Sequence, residues 1–484
     1  MDTQADVKGA VASPYANTFF QELSPAWLNY VRAVNGLKTI PLDEPFTYLE
    51  LGCGFGHSTV VNAAAFPTGM FHGCDVNPNH AAGARAFARA LELPNFQFHE
   101  APFQALALGD LPRFDFIVLH GVYSWVGEEA RGAIRRIIRQ RLSERGLVYL
   151  SYNCLPGWSN EVPLRRLMLE LAGQERSAPD RARKAVESLA GMRALPFRYF
   201  TDNPAAAAAV DAYAKSSGDY LAHEFLAESW EPFSSVEIAD EMAGLGLAYL
   251  GSATLADNHP ALLMDDASAA ALAALPSIRQ RRLAEDFAVN RRFRRDVFAR
   301  REAFVGAAYA RALDEAVIGV VGSVEDVTAK VSVPRGAISF GEDFVDAVRS
   351  ILQRGSITVA GAIAALDGQG RDPVEIARNL VFMTAAGALS PFAKAQSLGG
   401  RPAARPQPTP MLEKLLAHVM QTQTAYVAPS EILGGGVLIQ PTEAAEIYRR
   451  SQEAASEDVA EEPTVALRVT RTLLPKLARL GLLN

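Results

Sequence analysis

The sequence predicts an α/β fold: a doubly wound Rossmann-like sheet, followed by mainly helical middle and winged-helix-like C-terminal domains. Three observations carry this expectation. Residues 46–58 read FTYLELGCGFGHS, a run of strand character that passes into three glycines and then into helical composition. A buried strand, a tight glycine turn and a helix N-terminus form the ligand-side corner of such a sheet. A second strand pattern, Met70–Val76, places Asp75 23 positions after Gly52. That is close to the separation of about 20 residues at which an acid on the second strand takes ribose hydroxyls. Three more apolar runs, at Asn95–His99, Phe114–His120 and Gly146–Asn153, alternate with helical stretches, as βα units do.

Taken in order, residues 1–13 read as disordered. Ser13–Leu37 is aromatic-rich and carries a helix start at Ser24-Pro25. Its Tyr15 and Phe19 are candidates for a lid over the pocket, with packing on the sheet as the alternative. Gly52, Gly54 and Gly56 follow a GxGxG spacing, not the GxGxxG of dinucleotide binders, and no Lys-Ser/Thr pair follows as in a P-loop. Glycine is required where the backbone turns through positive φ or lies against a ligand. Glu50, at the carboxyl end of the first strand, suits a cationic amino group. Asn79–Leu91 is an alanine-rich helix, FDFIVLH is a continuous apolar strand of the buried parallel kind, and Ala130–Leu142 is a helix with arginine on its outer face. Ligands sit outside the carboxyl ends of the strands, so the segments His120–Trp125 and Ser151–Trp158 hold the candidates for chemistry. His120, Tyr123 and Tyr152 are the expected catalytic residues. Trp125 and Trp158 read as hydrophobic anchors.

At 484 residues the chain is long for one domain. A net charge of −7 argues against a general nucleic-acid binder. Cys53, Cys74 and Cys154 lack CxxC spacing, so neither a disulfide framework nor a metal site is expected. Without an apolar run of membrane length or a signal pattern, the expected location is the cytoplasm.

The E-x-G-x-G-x-G run at 50–56, with an acid ending the next strand, resembles the first motif of the class I S-adenosylmethionine-dependent methyltransferases. The resemblance covers roughly residues 45–160. It implies that Glu50, Gly52, Gly54 and Gly56 hold the methionine part of S-adenosylmethionine and Asp75 its ribose. Ala101 and Phe103 would cover the adenine, and Tyr15 and His120 would complete the cofactor-binding set. YNCLPGW at 152–158, LAESWEPF at 226–233 and NRRFRRDVF at 290–298 are similar to the subset with a methyltransferase regulatory domain. That subset includes bacterial protein-lysine methyltransferases acting on outer-membrane proteins. It implies methyl transfer to lysine side chains of a protein acceptor. An aromatic slot of Tyr123, Tyr152 and Trp158 would lower the amine pKa from about 10.4, and His120 or a water would take the proton. The alternatives are an O- or N-methyltransferase of small molecules or glycans, and a catalytically inactive cofactor-binding regulator.

The expected divisions are a catalytic domain at 1–172, a mostly helical middle domain at 173–330 and a winged-helix-like module at 331–400. A proline-rich linker at 401–410 and a helical module at 411–484 follow, the modules recruiting protein or forming a homodimer. Arg279–Arg301 holds nine arginines against three acids. It reads as a solvated helix face, with a partner in the acidic run Glu453–Glu462.

Overall fold

The computed structural model describes residues 18–174, 177–300, 312–368, 370–398, 407–452 and 463–483. Its centre is a seven-stranded sheet of the kind typical of Rossmann-like methyltransferases. The strands are β1 (Phe46–Leu51), β2 (Gly69–Asp75), β3 (Phe96–Glu100), β4 (Phe114–Leu119), β5 (Leu142–Asn153), β6 (Leu247–Ser252) and β7 (Phe293–Arg300). Their spatial order is β3-β2-β1-β4-β5-β7-β6. The first five run parallel, and β7 lies antiparallel to both β5 and β6. The order reverses between β1 and β4, so the crevice for a ligand opens at the carboxyl ends of those two strands.

Local chemistry explains the frame. Every residue of β4 is buried, and its one acid, Asp115, is held by Arg145 and Ser143 at 2.9 and 2.7 Å. Ser24 caps the Pro25–Val34 helix through the Ala26 N–H, and Asn77 caps Pro78–Ala90 through Asn79 N–H, each with proline at the first helical position. Strand alternation divides the apolar side chains between two faces. Tyr48, Phe116, Val118 and Tyr149 pack with the Pro25–Val34 helix, whereas Leu49, Ile117, Val148 and Leu150 pack with Ile134, Ile238 and Phe298.

The sequence reading ended the sheet at β5, and the structure corrects it. The arginine-rich stretch is not one solvated helix face: it comprises the Ile278–Ala288 helix and then β7. Its charges are neutralised internally. Arg294 is 3% exposed, bonds Asp286, and reaches Asp296 at 2.9 Å. Arg282 also meets Asp296, at 3.1 Å, and Arg291 meets Asp257 at 2.8 Å. Ion pairs at buried positions let a charged strand sit inside a sheet. Glu453–Glu462 lies outside the described residues, as do Tyr15, residues 1–13 and most of the proline-rich linker.

Two further units pack onto this frame. The region expected as a module at 331–400 holds three helices, at Glu342–Leu352, Val359–Asp367 and Pro373–Ala385. The short strand Ser390–Phe392, however, pairs with Val317–Gly319, so the unit crosses the expected boundary at 330. The tail forms the Pro410–Thr422 helix, a hairpin of Tyr426–Ser430 with Gly435–Ile439, and closing helices. It does not stand apart. Leu412, Leu415, Leu416, Val437 and Ile439 share a buried cluster with Val60, Val61, Phe87 and Leu91 from the helices after β1 and β2. Tyr426 stacks on His57 with ring centres 5.0 Å apart. Among the described residues no helix is long and apolar enough to cross a membrane.

Candidate active site

The turn after β1 is built on three left-handed glycines: φ is +71° at Gly52, +55° at Gly54 and +69° at Gly56. A Cβ on Gly52 would lie 2.5 Å from Val122 Cγ2, so the position excludes any other residue on two grounds. The turn is tied to β2, because Gly52 N–H and Cys53 N–H both donate to the Cys74 carbonyl, at 2.8 and 3.0 Å. Asp75 then gathers the corner. Its Oδ2 accepts from Gly54 N–H at 2.9 Å, its Oδ1 accepts from Asn77 N–H at 2.9 Å, and His80 Nδ1 lies 3.1 Å from the same Oδ1.

Glu50 is 5% exposed, and its carboxylate accepts the Thr59 hydroxyl. Burial pushes its carboxyl up to about 7; the Thr59 bond opposes this and the charge of Asp75 adds to it. Thr59, Asn77 and His80 were not among the expected site residues. Each sits at the start of the helix that follows its acid, and that position was the available signal. Ala101 adjoins the corner, its N–H donating to the Asp75 carbonyl at 3.3 Å. Phe103 opens the Phe103–Leu108 helix and packs, half-buried, against the cluster that holds Leu49 and Leu51.

His120 follows β4 directly. Its Nδ1 is 2.8 Å from the Tyr149 hydroxyl, and its ring lies 3.9 Å from that of Phe20 and 5.9 Å from that of Phe293. Burial, with the nearby Arg295 charge, lowers its pKa to about 3, so the imidazole is neutral at pH 7 and a weak base. The aromatic cover is Phe20; Phe19, the lid residue expected beside Tyr15, packs instead against the C-terminal cluster.

The structure does not bring Tyr123 and Tyr152 to His120, which corrects the expected aromatic slot. Tyr149 and Ser151 face the His120 side of β5, since Gly121 N–H donates to Ser151 Oγ at 2.8 Å. Tyr152 therefore projects to the opposite face. There its hydroxyl donates to Asp296 Oδ2 at 2.7 Å. Tyr123 donates to Glu241 and accepts from Arg135 at 3.1 Å. Both rings are fully buried against Phe233, and burial raises both phenol pKa values. Trp158 serves as the expected anchor: its indole N–H donates to the Arg292 carbonyl at 2.9 Å, and the Arg292 guanidinium lies 3.9 Å from the ring centre.

The corner therefore offers a buried acid, a loop of three left-handed glycines packed at Gly52 against Val122, and a second acid bonded to the loop. This set of groups fits the amino group, close-packed backbone and ribose of S-adenosylmethionine. Comparisons with known proteins agree. Residues 49–148 match the family described as methyltransferase domain, and residues 217–300 the predicted methyltransferase regulatory domain. The chain is 33% identical over 380 residues to the Synechocystis protein sll1526, spanning 78% of this chain and 75% of that one. It is 29% identical over 165 residues to a trans-aconitate 2-methyltransferase of Methylobacterium nodulans, covering 34% of this chain and 58% of that one. PKMT2 from Rickettsia typhi, solved alone and with AdoHcy, shares the fold. The structure solved alone superposes with a TM-score of 0.71 at 17% identity over 97% of this chain and 99% of its own.

Proposed function

From the premise that this chain belongs to the class I S-adenosylmethionine-dependent methyltransferases carrying a methyltransferase regulatory domain, we propose that it methylates lysine side chains of a protein acceptor. The observation that carries the methyltransferase step is the joined corner of Glu50, the glycine loop and Asp75. The lysine step is supported by the motifs at 152–158, 226–233 and 290–298 and by the similarity of nearly the whole chain to PKMT2. When bound, the cofactor supplies an electrophilic methyl group on a sulfonium. The chain's own residues bind and orient. Glu50 takes the amino group, Asp75 the ribose hydroxyls, and Phe20 and Phe293 hold His120 as a neutral, fixed ring beside the strand ends. His120 thus acts by position, and the acceptor's proton leaves by another route.

The cofactor reading has a pH signature. A cationic amino group needs Glu50 ionised, and its carboxyl titrates at about 7 in the unliganded protein. Affinity for S-adenosylhomocysteine is expected to fall about tenfold per pH unit below 7, with a proton released on binding there. A carboxyl raised on folding stabilises the free protein fully below its unfolded value, and that contribution is lost as pH rises through about 7. Calorimetry in buffers of different ionisation enthalpy reads both the affinity and the proton; flat affinity between pH 5.5 and 8 would remove Glu50 from the amino-group site.

The acceptor is tested with radiolabelled cofactor and a lysate of the host. Acid-stable label in protein that hydrolyses to methyl-lysine is the expected result. Label confined to small solutes, or lost in mild base as from a carboxyl ester, would favour the small-molecule reading to which the trans-aconitate enzyme's similarity points.

A further inference from the structure

A short segment bars the crevice between β1 and β4, and the far end of the chain holds it there. Phe20 joins the two sides of that crevice. Its main-chain N–H donates at 3.1 Å to Ser58 Oγ, in the His57–Ala65 helix that follows the glycine loop. Its ring lies 3.9 Å from that of His120, directly after β4. The next three residues, Gln21–Leu23, make a single 3-10 turn. One turn has too few bonds of its own to fix its place, so tertiary contacts must do so. One comes from the sheet, where the Tyr48 hydroxyl of β1 donates to the Leu23 carbonyl at 3.2 Å.

Others come from the tail. The Ser24 hydroxyl donates to the Gly434 carbonyl, 410 positions away in the sequence. Gly434 lies in the turn of the hairpin between Tyr426–Ser430 and Gly435–Ile439, with φ at +66° and its N–H donating to the Ser430 carbonyl at 2.8 Å. A Cβ on it would stand 2.7 Å from Phe66 Cζ and 2.8 Å from Ala26 Cβ, so the turn is wedged between the sheet's helical cover and the helix that Ser24 caps. At Gly435 the contact is with the barring segment itself. A Cβ there would lie 2.5 Å from both Nε2 and Oε1 of Gln21. The Gln21 amide therefore rests directly on the Gly435 backbone, one residue from Phe20.

Resting on the cofactor reading of the corner, we propose that the Gly434-Gly435 turn positions Phe20 for cofactor binding, acting through Gln21 and Ser24. The cofactor enters and leaves when Phe20 swings off His120, and the turn sets how often that happens. A segment held by few contacts opens locally at small cost, so each tail contact removed shortens the time the cofactor stays. Gln21 and Gly435 are positioning residues, since both act through Phe20. The tail thereby has a part in the methyltransferase step beyond covering apolar surface.

Gly435→Ala separates this role from a structural one. Its φ lies outside the left-handed region, and the atoms its Cβ would meet first all belong to Gln21. Tritiated S-adenosylhomocysteine, bound to the full chain and chased with excess unlabelled compound, is expected to leave the variant about tenfold faster than the native protein. Gln21→Ala added to Gly435→Ala removes the crowded amide and is expected to bring release most of the way back. A contact that only stabilised the fold would lower the melting temperature and leave release unchanged. Release at the native rate from Gly435→Ala, or release equally fast from the double variant, overturns the proposal and leaves the cofactor reading intact. Should Gly435→Ala fail to fold, Ser24→Ala cuts the tie to Gly434 from the other side; faster release is again expected, and the native rate again overturns the proposal. Native protein that retains no S-adenosylhomocysteine sinks the cofactor reading itself.

Discussion

Asp75→Ala is expected to weaken S-adenosylhomocysteine binding about 100-fold or more while leaving a folded protein. Two effects add. The ribose loses its charge-assisted partners, each contributing about 1.5–3 kcal/mol before water compensates. The loop also loses its tie, because Gly54 N–H, Asn77 N–H and His80 all converge on this one carboxylate. A Gly54 N–H with no acceptor leaves a left-handed glycine turn free to relax, and pre-organisation is lost with it. Asp75→Asn should fall between the two, since its amide oxygen can serve one N–H and carries no charge. Titration calorimetry measures the affinity and thermal unfolding checks the fold. Affinity unchanged in Asp75→Ala would take the residue out of the site and undo the reading of the corner.

Removal of residues 401–484 is expected to yield an insoluble or strongly destabilised protein. The sequence suggested a separate helical module after a proline-rich linker. The contacts argue otherwise. Deletion exposes Val60, Val61, Phe87 and Leu91, which the tail now covers. Burying such side chains contributes about 1.5–3 kcal/mol each, so exposing four forfeits roughly 6–12 kcal/mol, comparable with the whole stability of a domain. His57, the first residue of the helix that follows the cofactor loop, also loses its stack on Tyr426. Soluble yield and melting temperature decide the matter; a soluble monomer that melts with the full chain and binds S-adenosylhomocysteine as well would show the tail to be dispensable. Ending the chain near Gly173 is more severe still, because it strips β7 from its seven-residue pairing with β5.

Much of the corner was legible from the residues alone. Strand, turn and helix at 46–65 follow from nearest-neighbour chemistry: apolar run, glycines at positive φ, helix start. The spacing of Glu50 and Asp75 follows from the length of one βα unit. Such features are local, and local preferences are written in adjacent residues.

Partners distant in the chain emerged only with the fold. Tyr152 reads as a strand-end phenol, the kind of group a reaction uses, yet its hydroxyl is bound to an aspartate 144 residues later. The arginines of 291–300 read as solvated because an isolated arginine belongs in water, and they become interior once Asp257, Asp286 and Asp296 arrive beside them. β7 was invisible for the same reason: a charged strand is stable only where its countercharges are already in place. The fold class, the glycine turn and the two acids of the cofactor corner can be read from the linear order of residues. The seventh strand, the neutral His120 and the packing of the tail on the sheet's helices were decided in three dimensions, because burial and pairing of charge depend on neighbours that the linear order does not place together.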